Sequence, residues 1–117
     1  DKLILDKTVI ENLKKLENGN GNSFVSGLLV VFGKQIQTIT SEIKNHFSTN
    51  SMDGVFKSAH KLKGSSLNVG ARKLAALCEE IEIAAKENKE ESFNSLLQNL
   101  DIVANQTIDE YNGYVVK

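Results

Sequence analysis

Residues 24–47 read FVSGLLVVFGKQIQTITSEIKNHF, and within them Val25, Leu29, Phe32, Ile36, Ile39 and Ile43 follow one another at steps of four, three, four, three and four. At 100° per residue, those steps keep six apolar side chains on one side of a helix. The stripe is heptad-like, the pattern of a helix that lies lengthwise against others in a bundle. Gly33 falls inside the segment and costs roughly 1 kcal/mol against alanine, which a stripe of this length outweighs. With Ser23 as N-cap, the spacing predicts a helix over about 23–47.

The flanking segments follow the same period. Upstream, Asp6 is placed to cap a short helix over about 5–17 that carries Val9, Ile10, Leu13 and Leu16. Asn18-Gly19-Asn20-Gly21-Asn22 ends it, because these residues tolerate positive φ and compete for helical hydrogen bonds. Downstream, Ser48-Thr49-Asn50-Ser51 is a break rich in capping residues. A helix over about 51–67 then aligns Met52, Val55, Ala59, Leu62 and Ser66. After the turn Asn68-Val69-Gly70, a helix over about 70–87 turns Leu74, Cys78, Ile81 and Ala85 inward. A polar run, 86–91, precedes a last helix over about 91–116 whose stripe holds Phe93, Leu96 or Leu97, Leu100, Val103 or Ala104, Ile108, Tyr111 and Val115.

The chain has no proline to interrupt these helices. No stretch longer than four residues alternates apolar with polar, so no strand is predicted. Long amphipathic helices with short connections pack as antiparallel neighbours. The prediction is an all-α, up-down-up-down four-helix bundle with a short extra N-terminal helix, one domain over 1–117.

Composition narrows the function. Hydrophobic residues at 40% and charged residues at 25% of 117 exclude a disordered chain. Fourteen Lys+Arg against fifteen Asp+Glu leave a net charge of -1, which argues against nucleic-acid binding or contact with an anionic membrane. No apolar run approaches the ~20 residues of a membrane span, and no signal peptide is visible. The single cysteine, Cys78, has no internal partner, which fits a reducing compartment, and its place on a buried stripe reads as an inert core residue. The only methionine is Met52, so the sequence reads as a domain cut from a longer chain or a processed one.

The third helix has a second stripe. His60, Lys63, Gly64 and Leu67 stand at i, i+3, i+4 and i+7, on the side away from Ala59, Leu62 and Ser66. His60 is therefore expected in solvent, with a cation and a glycine one turn away. A mid-helix glycine is disfavoured, and one use for it is to let another surface approach. From Lys57 to Lys73 the chain holds Lys57, Lys61, Lys63, Arg72 and Lys73 and no acidic residue. Such a stretch suits a phosphoryl group or an acidic partner surface. An exposed neutral imidazole is a competent nucleophile, and a neighbouring ammonium can stabilise charge on a transferred phosphoryl group. No second titratable partner is evident nearby in sequence, which argues against a catalytic triad. His46 sits favourably near a helix C-terminus but lacks the i+3 lysine and i+4 glycine, so it is given no catalytic role. Two histidines and one cysteine at these separations form no recognisable metal site.

The run Ala59-His60-Lys61-Leu62-Lys63-Gly64-Ser65-Ser66-Leu67-Asn68-Val69-Gly70-Ala71, followed by Leu74, Cys78 and Glu82, resembles the signature of histidine-containing phosphotransfer (HPt) domains of multistep two-component phosphorelays. The spacing matches without insertion, and a weaker likeness extends over nearly the whole chain. The resemblance implies that His60 is the phosphoacceptor through Nε2, that Lys63 steadies the phosphoryl oxygens, and that Gly64 leaves room for a docking receiver domain. Ser65, Ser66, Gly70 and Ala71 would shape the helix end and turn. Phe56, Lys57, Lys61 and Leu67 would form docking surface around the nucleophile. The partners implied are receiver domains of response regulators or hybrid histidine kinases. They would bring the aspartate and Mg²⁺, and this chain would carry no cofactor and no ATP-dependent kinase activity. A monomer in the cytoplasm is expected, standing alone or within a membrane-bound sensor kinase.

Two rival readings share these features. One is a bundle that docks receivers without accepting phosphate, against which the histidine at the motif position argues. The other is the dimerisation and phosphoacceptor module of a histidine kinase, which needs an ATP-binding domain that 117 residues cannot also hold.

Overall fold

The computed structural model describes residues 4–15 and 23–115. They form helices α1 (Lys7–Lys15), α2 (Ser23–Ser48), α3 (Met52–Asn68), α4 (Arg72–Lys86) and α5 (Phe93–Val115), with a 3₁₀ turn, Glu90–Ser92, leading into α5. Among the described residues there is no strand. Leu16 and the loop 18–22 lie outside the described residues, as do the side chains of Leu13, Ser23, Val25 and Val115.

The four long helices close a ring of contacts in which α2 packs on α3 and α5, and α4 on α3 and α5. This is the four-helix bundle that the stripes predict. Leu29, Phe32, Ile36, Ile39 and Ile43 of α2 are buried in one cluster with Val55, Ala59 and Leu62 of α3. Leu74, Cys78, Ile81 and Ala85 of α4 and Phe93, Leu100, Val103, Ala104 and Tyr111 of α5 complete it. Leu96, Leu97 and Ile108 are partly buried against its margin. Each fully buried aliphatic side chain contributes on the order of 2 kcal/mol of transfer free energy, so the stripes dominate the stability of the fold.

Three turns join the bundle helices, and all are built alike. In each, one residue adopts positive φ just past the helix: Asn50 at 60°, Gly70 at 79° and Asn88 at 55°. The next residue's amide returns to a carbonyl five positions back, as Ser51 to His46 at 2.8 Å, Ala71 to Ser66 at 2.8 Å and Lys89 to Ala84 at 2.9 Å. These are Schellman ends, which stop a helix and reverse the chain without proline. Ser51 then caps α3 by accepting from the Gly54 amide.

At Gly70 two demands coincide. Its φ of 79° is unfavourable for a side chain, and a Cβ there would stand 3.0 Å from the Asp6 carbonyl and 3.1 Å from Val9 Cβ. The start of α1 rests on this turn, with the Asp6 amide donating to the Gly70 carbonyl at 2.6 Å. Asp6 also caps α1 by accepting from the Thr8 amide at 3.0 Å. From the other side, the Tyr111 hydroxyl donates to the Val69 carbonyl at 2.7 Å, and its ring meets Phe32 edge-on. The far end of α3 is thus held by α1, α4 and α5 together.

Candidate functional site

Residues of α3 divide by face as the period requires. Val55, Ala59, Leu62 and Ser66 are fully buried, while His60, Gly64 and Leu67 are exposed. The His60 side chain is 66% exposed and the Lys63 side chain only 24%. Lys63 sits at the edge of the stripe nearest α4, so its stem lies along the helix seam and its ammonium reaches across it. Nothing lies within 4 Å of where a Gly64 Cβ would be, so the absence of a side chain there answers no packing need inside this chain. The Phe56 ring is partly buried and lies parallel to the imidazole one turn on, with centroids 6.2 Å apart and planes 4° apart.

The contact that the sequence does not reveal is with Glu82 on α4. His60 Nδ1 is 3.0 Å from Glu82 Oε2, and Lys63 Nζ is 2.9 Å from Glu82 Oε1. A titratable partner therefore stands beside His60 in space although none is near it in sequence, since Glu82 lies twenty-two residues on. The Glu82 side chain is only 8% exposed. A buried carboxylate is costly unless paired, and the ammonium and the imidazole N–H are its partners. Ala75, Cys78 and Glu82, at helical spacing, form the row of α4 that faces this seam, and all three are buried. Helices α3 and α4 pack on each other, and both bury small residues, Ala59 and Ser66 on one and Ala75 and Cys78 on the other.

The pairing fixes the imidazole. Against an ionised carboxylate, which can only accept, a neutral imidazole carries its proton on Nδ1 and leaves the Nε2 lone pair free. The contact and charge of Glu82 hold the Lys63 pKa above its usual value. Burial, reinforced by the Glu82 charge, pushes the Cys78 thiol up to about 12, so it is neither nucleophile nor ligand at neutral pH.

The basic stretch of the sequence is not free of acid in space. Lys57 pairs with Asp53 at 3.0 Å, Lys63 with Glu82, and Arg72 with Asp6 at 3.9 Å, while Lys73 donates to Gln106. Among the described residues, Lys61 is the one basic side chain of the stretch for which no such partner is found. Leu67 stands out at 57% exposure, two turns from His60 on the same face. His46 is elsewhere, its ring over the first turn of α3, where a Cβ at Gly54 would overlap it. Among the described residues, no helix is long and apolar enough to cross a membrane.

Comparison with known proteins agrees with this arrangement. A structure of histidine-containing phosphotransfer protein B from Pseudomonas aeruginosa PAO1 superposes with a TM-score of 0.88 over 98% of this chain and 96% of that one. At 19% identity, that likeness speaks for the fold. Histidine-containing phosphotransfer protein 2 of Arabidopsis thaliana is 31% identical over 93 residues, 77% of this chain. This chain spans 60% of the length of that relative. The sequence model of the Hpt domain matches residues 27–111, from α2 to Tyr111 and including the whole His60 site. The chain belongs to the Hpt domain family.

Proposed function

We propose that this chain is a phosphoryl carrier in a two-component phosphorelay. His60 Nε2 attacks the phosphorus of an aspartyl phosphate on one receiver domain. The Nε2–P bond forms as the P–O bond to the aspartate breaks, and the aspartate leaves as carboxylate. A second receiver reverses the step with its own aspartate. Aspartyl phosphate and phosphohistidine are both high in transfer potential, so the exchange runs either way. The observation that carries this reading is the pairing of His60 Nδ1 with Glu82 in an otherwise exposed ring. It leaves the nucleophilic nitrogen free and fixes its tautomer.

In this reading Lys63 steadies the phosphoryl oxygens, and Gly64 gives the partner access to the nitrogen. Phe56, Lys57, Lys61 and Leu67 make the docking rim, apolar beside the nucleophile and cationic at the edge. The receiver supplies its aspartate and Mg²⁺, and the carrier itself neither binds ATP nor phosphorylates itself. One chain already closes a bundle, so the carrier acts as a cytoplasmic monomer, alone or within a larger sensor kinase.

Incubation with a phosphorylated receiver tests the reading. An acid-labile, base-stable label is expected on the wild-type chain and none on His60→Gln, with helicity unchanged. Labelling of His60→Gln at the wild-type rate would overturn the site, and an unlabelled wild-type chain would leave a docking bundle. A monomeric mass in solution is expected, and an obligate dimer would favour the kinase dimerisation module.

A further inference from the structure

Glu82 does more in this geometry than orient a ring. When phosphorus is bound to Nε2, the ring retains a lone proton on Nδ1 as an imidazolium. In that form the leaving group in the next transfer is neutral imidazole. Once the Nδ1 proton is lost, the leaving group is imidazolate, a far poorer one. The lifetime of the phosphorylated state therefore depends on how firmly Nδ1 holds its proton.

We infer that the Glu82 carboxylate, 3.0 Å from Nδ1, keeps phosphorylated His60 protonated and so poises the phosphoryl group for release across neutral and mildly alkaline pH. This deepens the phosphotransfer reading and rests on it. The carboxylate is buried while the ring is exposed, so its charge acts through little solvent, and an opposite charge at this range favours the protonated base. The step balances without any further reactant. The electron pair of the N–P bond returns to Nε2, the acceptor aspartate takes the phosphoryl group, and the Nδ1 proton stays where it was.

The other charges near the ring differ in sign. On α3, Lys63 stands against the same carboxylate and disfavours a second positive charge, while Lys57 is paired with Asp53 and Lys61 is exposed. On α4, Glu79 acts on Lys63 with the same sign as Glu82. On α2, the helix on the other side of α3, Lys44 is engaged with Asp101 of α5. Among the described residues, the ion pair of His60 is with Glu82 alone.

The test loads wild-type, Glu82→Gln and Lys63→Ala chains from a phosphoramidate salt, with no receiver present, and follows loss of phosphohistidine by ³¹P NMR from pH 6 to 10. Glutamine keeps an acceptor near Nδ1 and removes one charge. The alkaline limb of the lability profile is expected to move down by about one pH unit or more in Glu82→Gln, which makes release roughly tenfold slower near pH 8. Lys63→Ala removes a cation and is expected to move the limb the other way. Superimposable wild-type and Glu82→Gln profiles overturn the inference. Should Glu82→Gln fail to fold, ¹⁵N NMR of the phosphorylated wild-type chain decides. Nδ1 must then hold its proton to higher pH than free phosphohistidine, and titration at the free value overturns the inference. A wild-type chain that takes no label at all overturns the phosphotransfer reading instead, a distinct result.

Discussion

Lys63 Nζ lies 2.9 Å from Glu82 Oε1, so one buried carboxylate serves both the cation and the imidazole of the α3 face. In the proposed phosphotransfer, Lys63 would have two duties, one to the fold through Glu82 and one to the incoming phosphoryl group. Lys63→Ala is expected to slow acceptance from a phosphorylated receiver by about tenfold, the lower end for losing a charge-stabilising donor at an exposed site. It should also lower the melting temperature, because Glu82 loses its full cation while remaining buried. Lys63→Arg should restore most of the stability and less of the rate, since the guanidinium keeps the charge beside Oε1 but is bulkier and planar where the ammonium is compact. Rapid-quench labelling and thermal melts check both, and an unchanged labelling rate in Lys63→Ala would refute the phosphoryl role.

Gly64 separates stability from access. Open space surrounds its missing Cβ, so Gly64→Ala is expected to stabilise α3 by up to about 1 kcal/mol. Gly64→Gln should fold equally well and lose receiver-dependent labelling by tenfold or more, while chemical labelling of His60 by a small phosphoramidate persists. Equal loss of both kinds of labelling would mean that the glycine serves the nucleophile and not the partner.

Gly70 is the opposite case. A side chain there meets a φ of 79° and the Asp6 carbonyl at 3.0 Å. Gly70→Ala should cost about 1–3 kcal/mol, through the left-handed backbone and displacement of α1 from the turn. Urea unfolding measures it, and a neutral result would show that α1 contributes nothing to the end of α3. Asn50 and Asn88 hold positive φ too, and replacing either with glycine should be tolerated.

How far these features were legible from the sequence depends on the distance over which their causes act. The stripes of α2, α4 and α5 are periodic, and periodicity is local, so Ile36, Cys78 and Leu100 could be placed in the core from spacing alone. The outward position of His60 follows from the same period. Glu82 could not be placed so. Its role depends on the register of α4 against α3, which is set by the Gly70 turn and by small residues at the seam. Its presence in the recurring motif was the available signal, without the geometry. The pairing within the basic stretch was hidden for the same reason, because Asp6 reaches it from the start of α1, Glu82 from α4 and Gln106 from α5. A sequence window sees charges along one chain, and neutralisation happens across several.

Cys78 provides a pH test of the seam. Burial lifts its thiol from 9.0 to about 12 in the folded chain, while the unfolded chain releases its proton near the ordinary value. Between those two values the unfolded state binds fewer protons than the folded one, so stability falls as pH rises through the window. The full shift corresponds to about 4 kcal/mol at pH 12. Lys63, whose pKa is also raised, contributes stability that is present below its unfolded value and lost as pH rises through its folded one, a decline of the same sign. Cys78→Ala removes the thiol component alone. Its urea midpoint is expected slightly below wild type at pH 8, from a small cavity, and above wild type by pH 11, so the two curves cross. In the native wild-type chain at pH 8, a disulfide reagent should leave Cys78 unreacted until denaturant is added. Parallel stability curves, or prompt reaction of the native thiol, would show that the α3–α4 seam is open to solvent where Glu82 and Lys63 meet.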